Sequence, residues 1–579
     1  MNLDKLNNLI ELFSHQAEKQ NKESIFLQWL NPNNKKSYTW EETQKNILKL
    51  SKIIRENIKE ADRCLLVSEN RPEWFVSDMA IMLSGGITVP AYTTYTEDDY
   101  KYLIEDCEPS LIIVSNNELL KKLNNTINEK RFIKKVITLD EVNNVIHDLD
   151  IIDKDKYLDF NLILKNNLLE NDKIQNEKLK RTSPACIIYT SGTGGNPKGV
   201  ILSHGGILNN LVGACEIMKP LFSSRPVFLT WLPLSHSYEH CVQFAQIAVG
   251  AKVFYAEKIE KLLENISEAK PTIMTAVPRF YQNLYNKINI NLKKQTGFKA
   301  KLIEETLRLG KKKLLNQKMT FSEKLLNLIV ETLVRKKIKK QFGGNLKAFV
   351  SGGGALDQDI GEFLNSVGLP TLQGYGLTET SPVVSCNPIH KIKVETVGPP
   401  FKGNQVKIAE DGEILVKGEN VMLGYWNKKE ETDKVIVNGW LHTGDIGEID
   451  PEDGYLKITD RKKDIIVNAG GDNISPAKIE NLLCLDPSID QAMVYGDNKN
   501  YLVALIYPNQ EKKFNRDEIA NIIDKINQQL SAIEKIKNFY LLDEGFTIEN
   551  NLLTPTMKLK RYLVKQKYLD VLNSFYKTK

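Results

Sequence analysis

The stretch YTSGTGGNPKGV, Tyr189 to Val200, follows the apolar run ACIIY, Ala185 to Tyr189, and decides how the rest of the chain is read. Gly192, Gly194, Gly195 and Gly199 allow backbone N–H groups to approach an anion closely. Thr190, Ser191 and Thr193 add short hydroxyl donors, and Lys198 adds a point charge. A β-type run that opens into such a loop is where α/β sheets hold phosphate-bearing ligands. The loop is not a Walker A motif, because Gly199, not a Ser or Thr, follows the lysine. By itself a Gly-rich stretch is also an ordinary surface turn, so the remaining motifs must decide.

The chain has 579 residues, too many for one compact core, which predicts two or more domains. Its 41% hydrophobic and 26% charged residues are the mix of a globular protein. Nothing approaches the run of about 20 apolar residues that spans a bilayer. At the N-terminus, Leu3, Leu6, Ile10 and Phe13 follow helical spacing among early charges, which predicts a packed amphipathic helix rather than a leader. The seven cysteines are scattered without a C-x-x-C pair, which argues against zinc or a disulfide framework and predicts a reducing, cytoplasmic setting. Of the net +5, the segment 293–340 carries 15 lysines and arginines against 4 acids, so the rest of the chain is acidic. FSEKLLNLIVETLVRKKIKKQFGG, 321–344, sets this basic run behind an apolar helical pattern. Peripheral binding to an anionic membrane face and a plain solvated helix face both stay open there. Nucleic acid is not expected, since no aromatics interleave the cations.

Several apolar runs lead into Gly-rich turns, among them LKAFVSGGGAL (346–356) and VKIAEDGEILVKGEN (406–420), with helical patterns between them. That alternation argues for α/β layers. From about 116 to 180 the Asn/Lys/Asp/Ile/Leu bias reads as surface helices and loops. The turn-rich, charged GEIDPEDGYLKITDRKKDIIV, 447–467, marks a boundary at Asp460, giving domains 1–459 and 460–579.

Taken together the motifs resemble the adenylate-forming superfamily of acyl-CoA synthetases, luciferases and peptide-synthetase adenylation domains. The opening loop is similar to the superfamily's YTSGTTG-x-PKGV, with Gly194 where Thr is usual. SGGGAL (351–356) and QGYGLTET (373–380) look like its adenine-side motifs. The resemblance implies that Gly353 and Gly354 lie against one face of a purine and Tyr375 on the other, with Gln373, Gly374, Gly376 and Thr378 alongside. It implies a Mg2+ ion held by Glu379 and Thr190, ribose contacts from Asp445 of WLHTGDIG and Arg461 of TDRKKD, and a hinge at Asp460. Lys558 of NLLTPTMKLKR would meet the charge developing between carboxylate and α-phosphate. Gly470 and Gly471 of NAGGDNISPAKIEN would approach the pantetheine arm of CoA in a second half-reaction.

The form T-P-T-x-K-L-K-R and TWLPLSHSYEH (230–240) resemble the long-chain fatty acid:CoA ligase branch, with Trp231 as gate over an acyl tunnel and His236 beside the carboxylate. A satisfied structural histidine is the equal alternative for His236. The implied fold is a large N-terminal domain of two α/β subdomains plus a small β-barrel-like one, followed by a small mobile α+β domain. The implied function is ATP-dependent activation of a long-chain fatty acid to acyl-adenylate and its transfer to CoA. Loading of a carrier protein, or activation of medium-chain or other acids, stays open. So does a homodimer.

Overall fold

The computed structural model describes every residue except 1, 34, 147–148, 168–173, 191–195, 223, 511–513, 555–556 and 577–579. Two eight-stranded sheets form the bulk of the chain. In the first, the parallel strands Ile87–Ala91, Arg63–Val67, Leu111–Val114, Lys135–Thr138 and Tyr157–Asp159 run side by side. Pro184–Thr190 joins parallel to Ile87–Ala91, then turns back antiparallel into Lys198–Ser203. The second sheet runs Val383–Cys386, Thr371–Gly376, Ala348–Ser351, Ile273–Ala276, Val227–Thr230, Lys252–Tyr255, Ile25–Trp29 and Ser37–Thr39, parallel at its centre. These strands read as continuous Val/Ile/Leu-rich runs because both faces are covered.

The helix Pro72–Leu83 is buried at every position, as a helix packed on all sides must be. Proline at its first turn costs no hydrogen bond there. The helix Trp40–Asn57 starts at a Thr39–Glu42 capping box and turns Trp40, Ile47, Leu50 and Ile54 inward. Trp40 stacks on Phe26 with ring centroids 3.8 Å apart, and Phe13 and Phe75 complete the cluster. Phe13 belongs to the helix Leu9–Lys19, which packs on the body through Leu9, Ile10 and Leu12; Leu3 lies in a separate 3-10 turn, Leu3–Lys5, and Leu6 just after it, so the helix begins later than the spacing from Leu3 predicts.

Two sequence expectations need correction. The biased 116–180 stretch is not surface alone. It supplies two strands of the first sheet and the helix Asn117–Glu129, which buries Leu119, Leu120, Leu123 and Ile127. Lys121, Asn125 and Glu129 are exposed on the outer face of that helix, whereas Asn124 is buried beside the leucines and donates to Asp150 O, so the polar composition masked the core pattern. The run 406–420 is likewise no βα unit but an antiparallel hairpin, Gln405–Ile408 with Glu413–Lys417. It belongs to a five-stranded sheet completed by Ile436–Val437, Trp440–Ile449 and Leu456–Arg461.

Beyond Arg461 comes a two-stranded piece, Ile466–Val467 with Asn473–Ile474. A three-stranded sheet of Ile489–Tyr495, Leu502–Pro508 and Ile536–Leu541 follows. The helices Pro476–Cys484 and Arg516–Asn527 pack on this sheet through Ile479, Leu483, Ile519 and Ile523. All seven cysteines are free thiols, and among the described residues no helix is long and apolar enough to cross a membrane.

Candidate active site

The opening loop joins two antiparallel strands, Pro184–Thr190 and Lys198–Ser203. Thr190 stands opposite Lys198 in the antiparallel register, so the loop's two ends are held together at its base. Ser191, Gly192, Thr193 and Gly194 lie outside the described residues. Lys198 forms an ion pair with Glu431, and its ammonium sits 5.0 Å from the centroid of the Tyr425 ring. Gly424–Tyr425 pairs with Val200 and Ile201, which is what brings that ring to the loop. The Tyr425 hydroxyl donates to Glu379 Oε1 at 2.9 Å. One tyrosine therefore links the loop lysine to the carboxylate expected to bind metal.

Across the cleft, Trp440–Ile449 and Leu456–Arg461 pair so that Asp445 lies opposite Arg461. Arg461 Nε donates to Asp445 Oδ1 at 2.9 Å, and the Tyr375 hydroxyl donates to Oδ2 at 2.7 Å. Asp445 is buried, and the two charge-assisted bonds compensate its desolvation. Burial, then the neighbouring Asp445, hold the Tyr375 phenol protonated far above its ordinary range. The ring is thus fixed by its hydroxyl with its faces free of that bond. Gln373 Oε1 is buried with no protein partner among the described residues. Such an orphaned acceptor calls for a donor from a ligand or water.

Gly353 and Gly354 follow the strand Ala348–Ser351, and Gly353 has a φ of +79°, where a side chain would be strained. A Cβ on Gly376 would stand 1.8 Å from the Pro382 carbonyl oxygen, so only glycine fits there. Gly374 also lies close to its neighbouring strand, against Ser385 O. Thr378 is buried and shares a 3.0 Å hydroxyl contact with Ser237. Ser237 opens the helix Ser237–Ala248, and His236 is its N-cap.

His236 Nδ1 accepts from the Tyr238 backbone N–H at 3.2 Å, which assigns its proton to Nε2. Burial, with Lys558 nearby, pushes its pKa down to about 3, so the ring is neutral at physiological pH. His236 is therefore a structural cap at one nitrogen, and its Nε2 has no hydrogen-bond partner among the described residues. Trp231 Nε1 donates to Thr275 O at 2.8 Å, and its ring meets Phe280 at 5.5 Å. Trp231 lines a cavity of about 180 Å3 together with Ser68, Glu69, Tyr92, Pro233 and Lys258.

Lys558 arrives from the C-terminal part of the chain. Its backbone is pinned by Thr554, whose Oγ1 accepts from Lys558 N at 3.0 Å and whose N–H donates to Lys558 O at 2.8 Å. Lys558 keeps solvent-accessible surface, yet protein atoms crowd around its ammonium. Desolvation first, then the Arg461 guanidinium, push its pKa down to about 8, against the pull of Asp445 and Glu379. Gly470 and Gly471 sit instead on an exposed turn, where Asn468 Oδ1 accepts from Gly470 N and Asp472 N. Asp460 neighbours Ser475 and Arg561, and burial raises its pKa. Gln282 Nε2 also reaches Cys484 O at 2.5 Å, tying the first part of the chain to the second.

The structure adds residues that sequence reasoning missed: Tyr425, Glu431, Ser237 and Glu239. The last is a buried acid whose Oε2 accepts from Thr275 Oγ1 at 2.8 Å, while burial raises its pKa to about 8. A Mg2+ ion suits the donor set at Glu379, because such an ion takes one or two carboxylates and draws its other ligands from phosphate and water. Tyr425 orients that single carboxylate through Oε1 and leaves Oε2 unclaimed by any described residue.

With this geometry in place, the comparisons are consistent. Residues 13–426 match the family described as AMP-binding enzyme, and residues 463–579 its C-terminal domain. The chain belongs to the AMP-binding enzyme family. It is 31% identical over 563 residues to a long-chain-fatty-acid–CoA ligase of Mycobacterium tuberculosis, covering 90% of this chain and 89% of that one. A long chain acyl-CoA synthetase of Arabidopsis thaliana is 28% identical, covering 93% and 87%. Among solved structures, an anthranilate CoA ligase with bound anthranoyl-AMP superposes with a TM-score of 0.76 at 18% identity over 98% of this chain and 99% of that one. The adenylation domain of a carboxylate reductase from Mycobacterium chelonae gives 0.76 at 19%, over 98% and 91%. These two likenesses establish the fold: two α/β sheets, a small β subdomain and a small C-terminal domain.

Proposed function

We propose that the protein activates a long-chain fatty acid with ATP and passes the acyl group to CoA. In the first half-reaction the fatty carboxylate oxygen attacks the α-phosphorus, the bond to the bridging oxygen breaks, and pyrophosphate leaves. In the second, the CoA thiolate attacks the acyl carbonyl and AMP leaves with the carboxyl-derived oxygen. Neither step needs a side-chain nucleophile; positioning and charge neutralisation supply the acceleration.

The observation that carries this reading is Lys558, delivered by the C-terminal segment to the cleft that holds Asp445, Arg461 and Glu379. In its protonated form the ammonium suits the oxygens between carboxylate and α-phosphate. Neutral His236 offers Nε2–H to the same carboxylate without adding charge. Asp445 serves as acceptor for ribose hydroxyls while Tyr375 and Arg461 hold it still, and Tyr375 presents a ring face to the adenine. Lys198 exchanges Glu431 for a phosphate oxygen when nucleotide binds. Mg2+, held at Glu379 with the Thr190 hydroxyl, would supply charge neutralisation for the phosphates.

Rotation about Asp460 withdraws Lys558 and brings Gly470 and Gly471 to the thiol's path, an alternation known for paired half-reactions. The long-chain assignment is supported by the names of the relatives and by Trp231 at the cavity. A Lys558→Ala protein tests the core of this proposal. Pyrophosphate formation should fall by about 10²–10³, while thioester formation from supplied acyl-adenylate survives. Equal loss of both halves, or loss of neither, contradicts it.

A further inference from the structure

The turn that carries Asp445 interrupts a regular ladder. Glu413 stands opposite Ile446 and Leu415 opposite His442, so three residues of the strand Glu413–Lys417 face five of the strand Trp440–Ile449. The surplus is a bulge around Thr443, Gly444 and Asp445, and bulges beside functional sites serve to re-aim a side chain. Gly444 lies within it at a φ of +71°. The bulge takes the half-buried Gly444 N–H off the ladder, and such a donor needs another acceptor.

Glu413 supplies it. Its side chain is 8% exposed, and its Oε1 accepts from Gly444 N at 2.8 Å. Oε2 serves the other flank: Lys462 Nζ donates to it at 3.3 Å, and His442 Nδ1 lies 3.2 Å away. Lys462 directly follows Arg461. Its Nζ also donates to Asp411 Oδ2 at 2.6 Å, and its backbone N–H donates to Gly444 O at 2.9 Å. One carboxylate thus grips the residue before Asp445 with one oxygen and the residue after Arg461 with the other. Burial opposes its charge, yet Gly444 N–H, His442 and Lys462 together hold the carboxyl below its ordinary range.

The small sheet does not need this acid for its core. Ile414 and Val416, which alternate with Glu413 and Leu415 along the strand, form that core with Val384, Val397 and Leu456. A carboxylate buried here costs desolvation that an apolar side chain would not. What it returns is geometry. Among the described residues its side chain bonds neither Asp445 nor Tyr375, so it acts on them through the backbone. Thr443 braces the same bulge, donating to Ile414 O at 2.7 Å and accepting from Asp445 N at 3.1 Å, so the turn keeps one brace without Glu413.

We propose that Glu413 is a positioning residue for the nucleotide: it fixes the Asp445 carboxylate where ribose hydroxyls donate to it, and thereby sets how strongly a ribonucleotide is preferred over its deoxy analogues. The proposal rests on the reading of Asp445 as the ribose acceptor given above. A site built to bond a hydroxyl rejects a ligand that lacks it, but only while its acceptor stays in place.

Initial rates of pyrophosphate release with a long-chain acid, compared for ATP, 2′-deoxyATP and 3′-deoxyATP, test it. The unaltered protein should prefer ATP in kcat/KM by about tenfold or more over at least one deoxy analogue. In Glu413→Ala the KM for ATP should rise by about tenfold, with kcat at saturating ATP within about threefold of the parent's. The kcat/KM for that deoxy analogue should change by less than about threefold, so the preference collapses. Glu413→Gln keeps the volume and an acceptor for Gly444 N–H. It should show the same change at smaller size with a melting temperature close to the parent's, and it carries the test if the alanine protein does not fold. An unchanged preference in every folded variant, or a kcat/KM that falls equally for ATP and the deoxy analogues, would overturn the proposal. A preference absent from the unaltered protein would instead refute the ribose reading of Asp445, and the proposal with it.

Discussion

The low pKa of Lys558 gives the account a quantitative handle. Desolvation and Arg461 bring the ammonium to about 8 in the free protein. The sign follows from which form acts. The charged form dominates below that value and is lost as pH rises through it. With a midpoint near 8, about nine-tenths of the chains carry the proton at pH ~7 and about one-tenth at pH ~9. The kcat/KM for adenylation, which reports the free enzyme, should therefore fall about tenfold between those two values. The assay is ATP–pyrophosphate exchange at constant ionic strength, without CoA, so that ionisation of the thiol does not enter. The fatty carboxylate is ionised throughout the range, and His236, held down near 3, contributes no limb above pH ~5. Lys558→Arg keeps the cation at every pH and should flatten the profile, even if its absolute rate is lower. An inflection that persists unchanged in Lys558→Arg, or a flat profile in the unaltered enzyme, would refute the assignment of the active proton to this residue.

Three further outcomes follow from the same geometry. Asp445→Asn keeps the shape but removes the charge that Tyr375 and Arg461 hold, so the KM for ATP should rise by about tenfold to a hundredfold, measured by initial rates at saturating acid. Tyr425→Phe deletes the hydroxyl that orients Glu379 while keeping the ring beneath Lys198, and should raise the KM for ATP by roughly three- to tenfold with the melting temperature little changed. Glu239 has a folded pKa raised to about 8, so the native state holds a proton that the unfolded chain has released, and stability falls as pH rises from the ordinary glutamate range to that value. Glu239→Gln should abolish that slope, making the variant more stable than the parent at pH ~8 by a few kcal/mol at most and little different at pH ~5, as followed by thermal melts.

Much of this site is legible in the sequence because its parts are local motifs. Asp445 and Arg461 lie in short segments with their own turn chemistry, and the antiparallel pairing of those segments then places them opposite one another. Tyr375 and Glu379 are separated by one strand end and a single turn. What stayed hidden depends on contacts between distant segments. Tyr425 reaches Glu379 across 46 residues only because a two-residue strand adds to the edge of the first sheet. Thr378 meets Ser237 across 141 residues, and no periodicity anticipates that. Glu239 reads as a surface acid at the start of a helix, and only the packing of the helix Ser237–Ala248 against the second sheet buries it. The basic excursion was visible as a charge count, but the exposure of Phe321, Leu325 and Leu328 is a tertiary fact. The same apolar pattern would have suited a helix buried on that side.

The most direct test of the central claim is AMP formation with ATP and Mg2+ over acids from acetate to the long-chain range, each with and without CoA. The account predicts turnover that depends on CoA and is strongest with long-chain acids. Absence of AMP with every acid, or adenylation that CoA never discharges, would contradict it.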